Sequence, residues 1–458
     1  MRERTVETMS TRPAVGKAAV GFAPARYILI AYGGLILLGT FLLSLPQASA
    51  MDRPLSVIEA LFTAASAVCV TGLTVVSTAH DLTLVGQIIV LALLQVGALG
   101  IMTISTFFVL LLGRRVRLQD RLFLQQDLNH GLLSGLVRLV RQVVLVALTL
   151  EAVGAVMLYL ALPGEYSLGR RVYFAVFHSV SAFANGGFDL FGDSLESLPT
   201  RLAFGTIVMV LALFGGLGFT VIQELRSLGK GRRFSLYTRV ALRAALLLLL
   251  SGALLVFILE RNNPETLEQM NVLEQLWHAL FLSAMTRSGG FSTLPTSGLG
   301  EATLFLCMLL MFIGTSPGST GGGIKTTTAA IIWAGVRSSL KGRRNVTILN
   351  RRLPVDAVPR ALTLVSLAGA VILGALFLLT LTEETPFLKT AFESVSAFGT
   401  VGLSTGVSAS FSDAARLVFV FLMLIGRVGP VTFALALRRN DDDGGERVRL
   451  PEERLPLG

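Results

Sequence analysis

Cysteine occurs only twice, at Cys69 and Cys307, and histidine only four times in 458 residues. Both cysteines fall in apolar segments and show neither disulfide nor metal spacing, so cysteine carries no redox information here. Charged residues make up 15% of the chain. Its apolar runs hold no paired carboxylate, no His/Cys cluster and no nucleophile constellation, which removes the residue sets an enzyme needs. Residues 1–26 lack a small-residue cleavage site, so this basic start (Arg2, Arg4, Arg12, Lys17, Arg26) reads as a cytosolic lead-in rather than a targeting peptide. The net charge of +10 does not point to nucleic acid, because Lys and Arg are spread over loops at the edges of apolar runs. Anionic lipid headgroups and a cytoplasmic partner fit that distribution better.

What the chain has in abundance is apolar sequence: 53% of its residues, with a mean hydropathy of +0.70. A soluble domain could not hide that much apolar surface, so the expected class is an all-α polytopic membrane protein. Uncharged runs of spanning length lie at 27–45, 82–113, 202–223, 302–324 and 361–382. Weaker spans at 142–162 (interrupted by Glu151), 240–259 (with Arg243) and 417–437 (interrupted by Arg427) bring the expectation to eight. Basic clusters follow each even-numbered span: Arg114, Arg115, Arg117 and Arg121; Arg226, Lys230, Arg232 and Arg233; Lys341, Arg343, Arg344, Arg351 and Arg352; Arg438 and Arg439. By the positive-inside rule these connections and both termini are cytoplasmic. The opposite connections carry acidic residues, among them Asp189, Asp193 and Glu196, which makes the outer face cation-attracting.

Four times a short apolar helix too short to span, such as 54–68 or 172–183, runs into one phrase. Its versions are Ser66-Ala67-Val68-Cys69-Val70-Thr71-Gly72, Ser181-Ala182-Phe183-Ala184-Asn185-Gly186-Gly187, Ser283-Ala284-Met285-Thr286-Arg287-Ser288-Gly289-Gly290 and Ser396-Ala397-Phe398-Gly399-Thr400-Val401-Gly402. A period of about 110 residues is too long for a solenoid and suits two spans with a re-entrant segment between them. Irregular backbone is permitted at membrane depth only when buried in protein or lining a wet pathway. Glycine allows such a loop to turn carbonyls toward an axis, where rings of oxygens replace the hydration shell of an alkali cation. One such loop could be explained by close helix packing; four in-phase copies behind half-length helices point to a single pore. The expected architecture is four helix/pore-helix/helix repeats, a potassium-channel-like pseudo-tetramer. Its expected boundaries are repeat 1 at 27–115, repeat 2 at 116–230, repeat 3 at 231–345 and repeat 4 at 346–438, with cytosolic tails at 1–26 and 439–458.

The sixth span contains Gly314-Thr315-Ser316-Pro317-Gly318-Ser319-Thr320-Gly321-Gly322-Gly323-Ile324-Lys325. Proline and repeated glycine cannot continue a helix, so this span is expected to break around a flexible intramembrane loop, 314–324, that serves as a gate and is the one asymmetric element. It is not a phosphate-binding loop, since Ile324 separates Gly323 from Lys325 and no strand precedes it. Arg427, within the last span, is expected either to donate to that loop or to snorkel to the headgroups. Glu151 fits a subunit interface or a structural position. His178 and His278 read as packed helix positions, and the sequon at Asn345 falls on the inner side, where it is idle.

The string from Ser316 to Thr328, the phrases ending at Gly72, Gly290 and Gly402, and Arg427 together resemble the Trk/Ktr/HKT superfamily of potassium-translocating subunits over residues 27 to about 437. The short tail before the first pore unit makes the Ktr membrane subunit the nearer likeness. The resemblance implies potassium uptake, with backbone oxygens of Val70, Thr71, Asn185, Gly186, Ser288, Gly289, Thr400 and Val401 as ion ligands. Glycine at 72, 187, 290 and 402 goes with potassium preference, whereas sodium-preferring plant relatives carry serine in the first loop; a sodium or mixed transporter of the same fold is the alternative. The gate would comprise Gly314, Ser316, Pro317, Gly318, Gly321, Gly322, Gly323, Lys325 and Arg427. The resemblance also implies a homodimer in the bacterial plasma membrane, gated by a cytosolic ring of nucleotide-binding RCK subunits. It implies no bound cofactor, with potassium as the transported ion and sodium as a candidate activator. The second loop departs from the common Asn-Ala-Gly by reading Asn185-Gly186-Gly187, and the acidic-then-basic tail leaves the partner contacts open.

Overall fold

The computed structural model describes residues 24–100, 136–198, 201–226, 234–343 and 345–437. The expected tails, the basic cluster at 114–121, Lys230, Arg232, Arg233, Arg344, Arg438 and Arg439 lie outside them.

Each repeat begins with a long helix: α1 (Pro24–Leu43), α4 (Leu136–Ala161), α8 (Leu236–Glu260) and α12 (Ala357–Thr382). These are the four helices whose length and apolar character suffice to cross a membrane, among the described residues. They form the outer surface, where large apolar side chains such as Leu37, Leu160, Leu247 and Leu381 face outward. In water that would be a liability; facing acyl chains it is the expected distribution.

The second helix of each repeat is short and buried: α2 (Val57–Val68), α5 (Leu168–Ala184), α9 (Val272–Met285) and α13 (Phe387–Gly399). Phe62, Phe177, Phe183, Phe281, Phe392 and Phe398 on these helices are fully buried. Local sequence fixes where two of them start. Ser56 and Glu59 form a reciprocal capping box on α2, with Arg53 clasping the Glu59 carboxylate through two contacts of 2.8 Å, and Asn271 and Glu274 repeat the box on α9. The closing helices are α3 (Leu84–Leu99), α6 (Arg201–Leu217) with α7 (Phe219–Arg226), α10 (Glu301–Phe312) with α11 (Thr326–Leu340), and α14 (Asp413–Val428) with α15 (Pro430–Leu437). Between α11 and α12 lies a two-stranded hairpin, β1 (Thr347–Ile348) and β2 (Arg351–Arg352), turned through Leu349 and Asn350 at positive φ.

The repeats close on themselves in a fixed cyclic order. Helix α3 packs on α5, α6 on α9, α10 on α13, and α14 on α2, so each repeat's closing helix braces the short buried helix of the next.

Three expected spans differ from the observed ones. The run at 202–223 is not one helix, because α6 and α7 meet at Gly218 (φ 91°) with a bend of 101°. The run at 417–437 likewise divides at Gly429 (φ 91°), and α3 ends at Gly100 (φ 74°). The break of the sixth span is therefore not the one asymmetric element. Among the described residues, α3, α6 and α14 end at Gly100, Gly218 and Gly429, while α10 ends at Phe312 and residues 313–325 stand between it and α11. Glu151 is buried within the chain rather than at a subunit surface: its carboxylate accepts from Gln95 Nε2 at 3.0 and 3.1 Å, linking α4 to α3.

Candidate functional site

The four repeated phrases meet at the centre of this ring. Each pore helix ends in a pair of left-handed residues separated by one other. The pairs are Val70 (φ 57°) with Gly72 (φ 90°), Asn185 (63°) with Gly187 (66°), Ser288 (90°) with Gly290 (74°), and Thr400 (47°) with Gly402 (94°). In an ordinary extended strand successive peptides face opposite sides. Reversing the hand at every second residue brings successive carbonyls round to one side, a backbone that lines an axis with oxygen. For β-branched Val70 and Thr400 this conformation is strained, by about 1–3 kcal/mol each, and persists because the surroundings hold it.

In repeats 1, 2 and 4 the holding bonds match. Val70, Asn185 and Thr400 donate their N–H groups to Ala67, Ala182 and Ala397, each at 3.1 Å. Thr71, Gly186 and Val401 donate to Ser66, Ser181 and Ser396 at 2.8–2.9 Å. The serine hydroxyls then secure the outer end: Gly72 and Gly402 donate to Ser66 Oγ and Ser396 Oγ, and Ser181 Oγ donates to the Phe188 carbonyl. Further out, His178 Nε2 accepts from the Leu190 N–H at 3.3 Å, and His278 Nδ1 contacts Thr293 Oγ1 at 2.8 Å. Glu393 gathers the hydroxyls of Ser404, Thr405 and Ser408 together with the Thr405 N–H. The two histidines thus fasten the segments that follow α5 and α9.

The loops touch in sequence around the axis. A Cβ on Gly72 would lie 2.4 Å from the Gly186 oxygen, one on Gly187 3.0 Å from the Gly290 Cα, one on Gly290 2.5 Å from the Val401 oxygen, and one on Gly402 2.2 Å from the Thr71 oxygen. Contacts below 3.0 Å require the neighbour to move, and here every neighbour is backbone. Twelve expected site positions, Val70, Thr71, Gly72, Asn185, Gly186, Gly187, Ser288, Gly289, Gly290, Thr400, Val401 and Gly402, are therefore brought together.

Directly beneath them lies the 313–325 insert. The flexible loop expected from glycine and proline is instead a buried, hydrogen-bonded plug. Thr315, Ser316 and Thr320 are fully buried, and Ile313 and Ile324 form a parallel bridge across the insert's base. Gly321 and Gly322 press on Ser288 and Thr400, where a Cβ would meet side-chain oxygens at 2.7 and 2.3 Å. Asn185 Nδ2 donates to Thr320 Oγ1 at 2.7 Å, and Thr320 Oγ1 donates on to the Phe183 carbonyl at 3.2 Å. Tyr237 O–H donates to the Pro317 carbonyl at 2.7 Å, Phe219 N–H to Gly318, and Lys325 Nζ to the Gly321 carbonyl at 2.8 Å. Gly314 lies against Gly322 and Gly323. Ser316 joins Thr326 through their hydroxyls, and its N–H reaches the Gly216 carbonyl.

Arg427 does not snorkel. Its Nη1 donates to the Thr320 carbonyl and its Nη2 to the Gly97 carbonyl, so one guanidinium joins the plug to α3.

Several participants were not apparent beforehand. Asn185 contributes its side chain as well as its backbone. Gly97, Gly215 and Gly426 let the closing helices reach the pore-helix ends, since a Cβ there would sit 2.1, 2.0 and 1.9 Å from the oxygens of Val68, Phe183 and Phe398. Each stands three residues before a break glycine, at 100, 218 and 429, a Gly-x-x-Gly spacing that could have revealed them. In the connection between α5 and α6, burial and then the charges of Asp193 and Asp189 hold the Glu196 carboxyl up to about 7. Burial likewise raises Asp189, against the hydrogen bonds it accepts from Gly192 and Phe191. Among the described residues no group of three or more His, Cys, Asp or Glu is arranged to hold a metal ion.

The chain matches the family profile described as TrkH, cation transport protein, over residues 34–443. It is 35% identical over 439 residues to the Ktr system potassium uptake protein B of Bacillus subtilis (strain 168), covering 96% of this chain and 98% of that one. The protein of the same name from Vibrio alginolyticus is 37% identical over 435 residues, 94% of each. The potassium/sodium uptake protein NtpJ of Enterococcus hirae is 36% identical over 442 residues, covering 95% and 97%. Among solved structures, the potassium transporter TrkH from Vibrio parahaemolyticus shares the fold, with a TM-score of 0.74 at 20% identity over 92% of this chain and 86% of that one.

Proposed function

The chain belongs to the TrkH family of cation transport proteins and is a multi-pass potassium-uptake transporter of the Trk/Ktr kind; from that premise we propose that it admits the ion through the ring at Gly72, Gly187, Gly290 and Gly402 and is gated by the plug at 314–324. The observation that carries this reading is the closed ring of four loops, each with paired left-handed residues and each in backbone contact with the next. Carbonyls presented this way compensate a dehydrated potassium ion. The family's preference for glycine at all four positions supports potassium over sodium.

The plug occupies the inner continuation of the axis, so an ion passing the ring meets Thr320, Gly321 and Gly322 next. Opening requires the Asn185–Thr320 and Arg427–Thr320 bonds to part. We assign that motion to a cytosolic RCK-type ring acting on the basic inner connections of a homodimer, with both termini cytoplasmic in the bacterial plasma membrane. The division into four pore repeats at 27–115, 116–230, 231–345 and 346–438 is part of the same reading. The potassium/sodium name of one relative makes mixed transport the second reading.

The test is growth of a potassium-uptake-deficient bacterial host at limiting potassium, together with uptake of potassium against sodium. Parental protein should rescue growth, and Gly72→Ser, which places a side chain against the Gly186 carbonyl, should reduce potassium-over-sodium preference about tenfold, equivalent to about 1.4 kcal/mol. Unchanged ion preference in that variant sinks the ring as the selective element. Equal rescue by parental protein in sodium and potassium uptake would favour the mixed transporter.

A further inference from the structure

One residue breaks the chemistry of the ring. The position just before the left-handed residue is Cys69 in repeat 1, Ala184 in repeat 2 and Gly399 in repeat 4, all small and uncharged, but Arg287 in repeat 3. Arg287 is only 6% exposed. Its Nη1 donates to the Ala245 carbonyl of α8 at 3.1 Å, while its buried Nε has no hydrogen-bond partner. No carboxylate among the described residues forms an ion pair with it. A guanidinium buried at membrane depth is costly and is normally matched by an opposite charge.

The nearest negative element is the end of its own pore helix. Helix α9 stops at Met285, so Arg287 sits where the carbonyl end of the helix carries about half a negative charge. In repeats 1, 2 and 4 no charged residue stands within the phrase itself; the cation nearest those helix ends, Arg427, comes from α14 and is bound to the Gly97 and Thr320 carbonyls. In repeat 3 a fixed cation within the phrase answers the helix end.

We propose that Arg287 is a positioning residue that sets how tightly the ring holds its ion, cancelling the attraction of the third pore helix so that bound potassium leaves readily. Conduction needs sites favourable enough to enter yet weak enough to leave, and a fixed unit charge near such a site changes ion occupancy on the order of tenfold. The proposal rests on the ring being the selective filter.

The experiment uses the full-length protein, reconstituted in liposomes for potassium uptake and purified in detergent for potassium binding by calorimetry. Arg287→Met and Arg287→Gln should lower the half-saturating potassium concentration at least about fivefold, tighten binding to match, and lower the maximal rate. Arg287→Lys should keep the parental values. Gly187→Ser runs alongside as the test of the ring. If it leaves ion preference unchanged, the filter reading itself fails; if it shifts preference while Arg287→Met keeps parental half-saturation, only the present proposal fails. A Lys variant that behaves like Met also overturns it. So does failure of both uncharged variants to fold while Lys folds, because the charge would then serve structure alone.

Discussion

The ring at Gly72, Gly187, Gly290 and Gly402 and the helix ends at Gly100, Gly218, Ile313 and Gly429 are both fourfold features of one backbone, yet their copies have diverged to very different extents. In the ring each glycine has the backbone of the next repeat against it, at 2.2–3.0 Å from where its Cβ would be. No copy can change without moving a neighbour, so the four remain alike. A helix break demands only that a chain turn. Repeats 2 and 4 meet the demand with one glycine and resume as a helix at once, while the third inserts 313–325 beneath the ring. On the proposed reading, selection would be a collective property of four loops and control a local property of one insert.

The strongest way to break this comparison is to attack what aligns both layers. Gly426 packs on the end of α13, with the Phe398 oxygen 1.9 Å from a would-be Cβ. Gly426→Leu should destabilise the protein by about 3 kcal/mol or more, read as a lowered melting temperature in detergent. Gly33→Ala in α1, with nothing within 4 Å, should be neutral or stabilising by up to about 1 kcal/mol. The third repeat has the fully buried Met311 where the others have Gly97, Gly215 and Gly426. If all helix positions tolerated bulk equally, the two variants would melt alike.

Control should be separable from selection. Deleting Gly314 to Gly323 should raise rubidium flux into liposomes about tenfold without any cytosolic partner, as expected if a barrier of about 1.4 kcal/mol is removed. Arg427→Ala, which releases the plug's Thr320 carbonyl and the Gly97 carbonyl together, should raise flux less. Both should retain the parental potassium-over-sodium preference. A deletion that leaves flux unchanged would mean the insert is not the gate, and one that abolishes preference would mean ring and plug are not separate devices.

The sequence made the ring legible because four copies of one phrase, each behind a half-length helix, leave few alternatives. It made the sixth-span break legible because proline and glycine cluster there. The other breaks were hidden for a physical reason. A lone glycine in an apolar helix costs only about 1 kcal/mol, so Gly218 and Gly429 did not outweigh the hydropathy around them, although α6 and α7 meet at 101°. The insert's burial and close packing were also illegible, because glycine signals conformational freedom whereas here it permits close approach. The bonds from Asn185, Tyr237 and Arg427 that hold it span from 80 to 135 positions of sequence. Arg287 was visible as a letter in the third phrase, but that no carboxylate among the described residues pairs with it belongs to three dimensions.

The smallest effect expected concerns the approach to the ring rather than the ring. Glu196 lies in the connection between α5 and α6, outer on the proposed orientation, its carboxyl held up to about 7 by burial and then by Asp193 and Asp189. The folded protein therefore holds this proton more tightly than the unfolded chain. The group's contribution to stability is complete below about pH 4.5 and is lost as pH rises through about 7. The same rise adds a negative charge at the mouth, so half-saturating potassium should fall by about twofold between pH 6 and 8 at low ionic strength and less at high salt. Glu196→Gln should flatten that slope while leaving ion preference intact. The same titration in a His80→Gln background isolates the carboxylate from the imidazole packed on Gly192. A slope that survives Glu196→Gln would move the titrating group elsewhere on the outer face; a slope accompanied by changed selectivity would mean that the mouth and the ring are not electrostatically independent.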